Sequence, residues 1–288
     1  MKKTTGHVKW VDRLAAVAES QTWALRIRHK IRNWLTTLYE WRLDRQLLAY
    51  GRPSHVGIIL DGNRRYAKRL GIADTDEIYD LGAERLIDVL KWCDDLSIRF
   101  VTIWVLSTDN LRNRPPSEVS SILAVFEKRL KSIVTSQETQ ERKIRIRAVG
   151  RLELLPASTM DTIRVAEAAT SKYDAFRLNI AVAYGGREEI SDAVRVMLKE
   201  KAKEGRSLSE IVDLVSPEEI GKHLYSVDLP EPDLIIRTSG ELRLSGFLLW
   251  QSAYSEFYFA DVFWPEFRKI DFLRAIRSYQ QRKRRFGG

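Results

Sequence analysis
Asp61, Gly62, Asn63, Arg64, Arg65 and Lys68 fall within eight residues, directly behind the unbroken apolar run Val56–Leu60. A lone carboxylate of this kind can hold a divalent cation that keeps most of its waters. Guanidinium forks match phosphate oxygens in pairs, a geometry lysine does not reproduce. A carboxylate beside such forks points to a phosphate-bearing substrate, with a diphosphate the simplest fit. The local sequence also leaves Asp61 open as the N-cap of the helix that follows. A second group of donors, Arg237, Arg243 and Ser245, surrounds Gly240 behind the short stretch Asp233–Ile236. Small residues there permit a tight loop that brings backbone amides near an anion. Ser107 and Asn110 close a third stretch, Phe100–Leu106, with Arg114 soon after. Glu256 sits among aromatic residues, where a carboxylate is costly to bury unless it is paired or bound to a metal.

These groups need elements to hold them. Val56–Leu60 shows no alternation, which reads as a strand buried on both faces, as in a parallel sheet. It stops at the turn-forming Asp61-Gly62-Asn63, and Arg64, Arg65 and Lys68 then begin a helix. The site therefore belongs at the carboxyl edge of the sheet, where open parallel sheets bind ligands. Strands are expected over residues 55–60, 99–106, 143–149, 176–183, 233–237 and 256–260. Helices are expected near 82–95, 117–135, 157–171, 187–204, 217–225 and 271–284. Strands separated by helices imply crossover connections and parallel pairing. The expected fold is one α/β domain, residues 51–288, with a central, mostly parallel six-stranded sheet flanked by helices. Residues 1–50 form an N-terminal helical extension. Ile27, Ile31, Trp34, Leu35, Leu38 and Trp41 recur there at roughly helical spacing among arginines. That helix packs on the core or a second subunit, or lies on an anionic membrane surface; both readings stay open.

At 288 residues and 44% hydrophobic content, the chain can bury a substantial core. Its single cysteine, Cys93, excludes an internal disulfide framework and reads as a buried apolar residue, which suits a reducing compartment. A net charge of +9 favours anionic partners: diphosphates, acidic lipid or nucleic acid. No apolar run approaches the ~20 residues needed to cross a bilayer. No secretory signal is evident, so the expected location is cytoplasmic. Lys199–Arg206 reads as a solvated helix end.

The segment His55–Leu70 resembles the signature of the cis-prenyltransferases, the undecaprenyl diphosphate synthase family. Four further blocks carry the resemblance in order: Ser107–Asn110 with Arg114-Pro115, Asn179–Arg187, Asp233–Trp264 and Arg284–Gly288. Four ordered blocks are specific, whereas a lone Asp-Gly-Asn is not. The resemblance implies a six-stranded sheet and a magnesium-dependent homodimer. The enzyme would condense isopentenyl diphosphate with an allylic prenyl diphosphate to give a cis (Z) product. It assigns Mg2+ to Asp61 and Glu256, and the reacting allylic end to Asn63. Ser107 and Asn110 would lie beside the bond-forming carbons, and Arg114 on a mobile lid. Gly62 and Arg65 would meet the allylic diphosphate; Arg64 matches less firmly. Arg237, Arg243 and Ser245 would hold isopentenyl diphosphate. The tail Arg285-Phe286-Gly287 would reach the partner's site.

Several positions depart from the family pattern. Tyr79 stands where a histidine is usual, the acidic stretch Asp74–Asp80 replaces a basic diphosphate grip, and Leu111 replaces a common tryptophan. These changes resemble short-chain relatives. Val105 stands where long-chain members often have alanine, which narrows the tail's path and implies products of about C15 to C35. Two other readings compete. A non-catalytic partner subunit would lose the first aspartate and the basic loop, both kept here. A nucleic-acid-binding protein is suggested only by charge and has no recognition motif.

Overall fold
Six strands carry the molecule, each short and nearly where the sequence places it. The structure, a computed structural model, describes residues 51–72 and 75–282 with positions 40, 42, 43, 45 and 47. The chain divides into two compact units, Met1–Ala49 and Tyr50–Gly288. The amphipathic helix expected over Ile27–Trp41 and the tail Arg285–Gly287 lie outside the described residues.

The strands are β1 (His55–Ile59), β2 (Phe100–Ser107), β3 (Ile144–Val149), β4 (Phe176–Tyr184), β5 (Leu234–Arg237) and β6 (Glu256–Phe259). The helices are α1 (Asn63–Leu70), α2 (Thr75–Asp95), α3 (Thr108–Asn113), α4 (Pro116–Thr135) and α5 (Gln137–Glu141). Then come α6 (Ala157–Thr170), α7 (Gly186–Lys203), α8 (Leu208–Leu214), α9 (Pro217–Gly221) and α10 (Lys269–Gln281). All strand pairs are parallel, in the order β3-β4-β2-β1-β5-β6. The chain lays β2, β3 and β4 on one side of β1, then crosses to put β5 on the other. That reversal opens a crevice between the carboxyl ends of β1 and β5.

Burial follows from this layering. Every residue of β1 and β5 is buried, as a strand covered on both faces must be. Edge strand β3 instead alternates, with Ile144 and Ile146 inward and Arg145 and Arg147 partly exposed. Gly57 lets the Phe247 ring pack close on β1, since a Cβ there would sit 3.0 Å from that ring. Burying side chains such as Ile58, Ile103, Leu178 and Ile236 contributes about 1.5–3 kcal/mol each.

Some local expectations are corrected. Thr108–Asn113 forms a helix, capped by Ser107 Oγ accepting from Asn110 N–H at 2.9 Å, so the first half of Leu111–Pro116, which reads as a loop in sequence, is helical. α2 begins at Thr75 rather than 82, because Asp76 and Glu77 suit a helix N-terminus. α5 and α8 were not expected. The β2–β4 register shifts on either side of Leu106, where Val105 and Ala183 are each left without a ladder partner. Ala183 adopts φ 48°, a left-handed conformation at this compensating irregularity.

Candidate active site
Asp61 leaves β1 at the crevice, and its backbone is fixed from three directions. Its N–H donates to Thr238 Oγ1 at 3.0 Å, and the same hydroxyl donates back to the Asp61 carbonyl at 2.7 Å. Trp264 N–H donates to that carbonyl at 3.0 Å. Gly62 then turns the chain with φ 106°, where a Cβ would lie 2.7 Å from the Phe263 ring. This turn starts α1, whose first turn carries no acidic residue. No side chain caps its first amides, and Gly62–Arg65 line the cleft, a setting that suits anions.

Two carboxylates tie three guanidinium groups together. Arg237, buried at the end of β5, donates through Nη2 to Asp61 Oδ2 at 2.7 Å. Its Nη1 donates to the Arg243 carbonyl and, at 2.9 Å, to Ser245 Oγ. Arg65 donates to Ser239 Oγ at 2.7 Å, to Glu241 at 2.9 Å and to Asp61 Oδ1 at 3.4 Å. Arg243 closes the ring on the second oxygen of Glu241. Ser239 and Ser245 hold this loop at positive φ, 79° and 53°. Such strain persists where neighbours over-determine it. Burial opposes ionisation of Asp61, but hydrogen bonds from Arg237 and Ser239 and the charges of Arg237 and Arg65 outweigh it. The carboxyl is held below its ordinary range.

A second cluster stands at the other wall. The Glu118 carboxylate accepts from Tyr79 Oη at 2.9 Å and from Arg114 Nη1 at 2.9 Å, and Arg64 approaches it at 3.6 Å. Arg114 also donates to Tyr79 Oη at 3.1 Å. Burial first, then the neighbouring Glu118, pushes the Tyr79 phenol up to about 12 despite the opposing charge of Arg114. Adjacent Arg64 and Arg65 thus diverge, Arg65 to Asp61 and Arg64 to Glu118. Of that stretch's acids among the described residues, none lines the cleft: Asp80 binds Lys128 and Arg129, and Asp76 and Glu77 are exposed.

One cleft of about 900 Å³ gathers nearly all of the expected residues. Asp61, Gly62, Asn63, Arg64, Arg65, Tyr79, Val105, Ser107, Asn110, Arg114, Arg237, Arg243 and Ser245 all line it. Asn63 donates to the Leu60 carbonyl at 3.1 Å, while its Oδ1 is buried without a hydrogen-bond partner. Beyond the polar mouth the cleft runs between β2, α2 and α4, lined by Leu86, Ile103, Ile122, Phe126, Leu130 and Ile133.

Glu256 is the exception and is corrected. It opens β6 level with Leu234 and Val56, whereas Asp61 lies five residues beyond Val56. The two carboxylates are thus about 16 Å apart along the strands, at opposite edges of the sheet. Glu256 instead pairs with Arg282. Within one chain it cannot share an ion with Asp61. Thr238, Ser239, Glu241 and Glu118 were not singled out from sequence. Glu241 lies inside the Arg237–Ser245 block, and Glu118 lies four residues beyond Arg114 in the first turn of α4, so both signals were present.

Among the described residues, no three His, Cys, Asp or Glu side chains converge into a metal cage. Magnesium needs no such cage, since one or two carboxylates with substrate phosphates and water suffice. Asp61, ionised and with its side chain 28% exposed at the cleft, fits that requirement alone.

The comparisons with known proteins bear on this geometry. A family profile described as putative undecaprenyl diphosphate synthase matches residues 59–287. The chain belongs to that family, the cis-prenyltransferases. A (2Z,6E)-farnesyl diphosphate synthase of Thermobifida fusca is 49% identical over 253 residues, covering 88% of this chain and 97% of that protein. A geranylgeranyl-diphosphate-specific tritrans,polycis-undecaprenyl-diphosphate synthase of Methanopyrus kandleri is 51% identical over 255 residues, covering 87% and 90%. Among solved structures, lavandulyl diphosphate synthase from Lavandula x intermedia, in complex with dimethylallyl diphosphate, matches with a TM-score of 0.74 and 35% identity. That match covers 82% of this chain and 99% of the lavender chain. The parallel six-stranded fold of this cis-prenyltransferase thus agrees with its relatives.

Proposed function
We propose that this enzyme condenses isopentenyl diphosphate with an allylic prenyl diphosphate and releases a Z prenyl diphosphate of short to medium length. The observation that carries the reading is the cleft in which Asp61, Arg65, Arg237 and Arg243 meet an apolar channel. The catalytic domain is residues 51–288, with residues 1–50 an appendage. Arg237, Arg243 and Ser245 hold the diphosphate of isopentenyl diphosphate. Gly62, Asn63, Arg65 and the free amides of α1 hold the allylic diphosphate, with Arg64, Tyr79 and Arg114 at the opposite wall.

The allylic carbon–oxygen bond breaks and its electron pair leaves with the diphosphate. Negative charge grows there, so cations already in place stabilise the transition state more than the ground state. The double bond of isopentenyl diphosphate forms the new carbon–carbon bond to the allylic carbon. Loss of a proton then restores a double bond in the Z form. The released diphosphate receives that proton, with Ser107 and Asn110 lining the same cleft. Asp61 would hold Mg2+, whose chemistry is to neutralise the departing diphosphate. The tail enters the channel past Val105, which favours products of about C15 to C35 because packed interiors hold few spare voids.

The enzyme works as a homodimer, which the exposed Leu242 and Tyr254 and the half-exposed aromatic residues of edge strand β6 support. No helix of the described residues is long and apolar enough to cross a membrane. A cytoplasmic location, with the N-terminal segment touching the membrane surface, is proposed on its pattern of tryptophan and arginine.

Incubation with magnesium, labelled isopentenyl diphosphate and allylic starters of increasing length, with products resolved by mass, tests the reading. Prenyl diphosphates lengthened by five-carbon units are expected from the wild type, and none from Asp61→Ala. A wild-type protein that leaves both substrates unchanged would overturn it.

A further inference from the structure
Away from its mouth, the wall that α4 gives the cleft is apolar except for Arg129. This side chain is only 19% exposed. A guanidinium in such a wall is costly without partners. Its partners come from α2. Nε donates to Asp80 Oδ1 at 2.8 Å and Nη2 to Glu84 Oε1 at 3.1 Å. Asp80 and Glu84 lie one helical turn apart, beside the α2 face whose Tyr79, Gly82, Ala83 and Leu86 line the cleft. The ion pairs therefore tie together the two helices that wall the channel. The methylene stem of Arg129 covers apolar surface where they meet.

We propose that the clasp of Arg129 with Asp80 and Glu84 sets the bore of the channel, making Arg129 a specificity-determining residue for product length. The inference rests on the prenyl-transfer reading above. A tail growing by five-carbon units needs its walls to give, because packed interiors have almost no spare volume. Val105 bounds the channel on the sheet side, and the clasp bounds it on the helix side. Parting α2 from α4 would strip the partly buried Arg129 guanidinium of both carboxylates, which costs more than an ordinary neutral hydrogen bond. Elongation stops when the next unit would require that separation.

The test compares wild type, Arg129→Met, the double variant Asp80→Leu/Arg129→Leu and Lys128→Met. Each is incubated with magnesium, isopentenyl diphosphate and a fifteen-carbon allylic diphosphate. The double variant guards against loss of folding, because apolar replacement of both members of an ion pair is often tolerated and the Glu84 left behind is exposed to water. Arg129→Met and the double variant should lengthen the dominant product by at least one five-carbon unit. The rate of the first condensation should stay within about threefold of wild type. Lys128→Met removes only an exposed partner of Asp80 and should leave the distribution unchanged. A folded Arg129→Met and a folded double variant that both return the wild-type distribution overturn the proposal. Equal lengthening by Lys128→Met also overturns it, since surface charge rather than the clasp would then set length. A wild-type protein that forms no prenyl product removes the parent reading, and this inference with it.

Discussion
Asp61 owes its charge to its neighbours. Its depressed pKa means that its share of stability is present above the ordinary carboxyl value of 3.8 and is lost as pH falls through the lower folded value. Removing this anion leaves Arg237 and Arg65 facing each other with less compensation. Urea denaturation should therefore find Asp61→Asn less stable than wild type at pH 7, with the gap closing below about pH 4. A gap independent of pH would contradict the assigned ion pair. Arg243 allows a cleaner test of substrate grip, because it is exposed and, among the described residues, its side chain is tied to Glu241 alone. One charged hydrogen-bonding contact is worth about 2 kcal/mol, or about thirtyfold. Arg243→Met should raise KM for isopentenyl diphosphate by that order while leaving the melting temperature unchanged. An unchanged KM would remove Arg243 from the site.

At the scale of elements, β1 and β5 were legible because strands covered on both faces read as short apolar runs, and β4 because Ile180–Tyr184 stays apolar behind Arg177 and Asn179. The residues that close β1, β2 and β5 meet in one cleft for the same reason: parallel strands bring their carboxyl ends to one edge. Glu256 could have been excluded by that logic, since it opens its strand rather than closing it. Helix α3 was hidden because Ser107, read for its chemistry, is also the N-cap that starts it. The irregularity at Val105 was invisible, because strand register depends on the partner chain segment and not on local pattern. It matters for function, since unpaired Val105 lines the channel. Val105→Ala should widen the channel and shift products to greater length in mass-resolved assays. An unchanged length distribution would count against Val105 as a wall of the channel.

At the scale of the whole molecule, acid stability depends on a buried histidine far from the chemistry. His55 at the amino edge of β1 bonds through Nδ1 to the Pro230 carbonyl at 2.7 Å and through Nε2 to Thr102 Oγ1 at 2.8 Å. Burial lowers its pKa from 6.5 to about 4, against the smaller raising effects of Pro230 and Asp233. The unfolded chain therefore binds this proton first. Folding stability should fall by about 3 kcal/mol as pH drops from 6.5 to 4, and His55→Gln should flatten that slope. An unaltered slope would place the acid sensitivity elsewhere. The net charge of +9 acts over the same scale, raising the local concentration of anionic substrates in a salt-dependent way.

The most direct measurement is a crystal structure of the wild-type protein with magnesium, isopentenyl diphosphate and an allylic thiolodiphosphate that resists ionisation. The account predicts two pyrophosphate groups in one cleft, one against Arg237, Arg243 and Ser245 and the other against Gly62, Asn63 and Arg65, with the allylic tail directed toward Phe126 and Ile133. A single bound pyrophosphate, or two that lie away from Asp61, would contradict it.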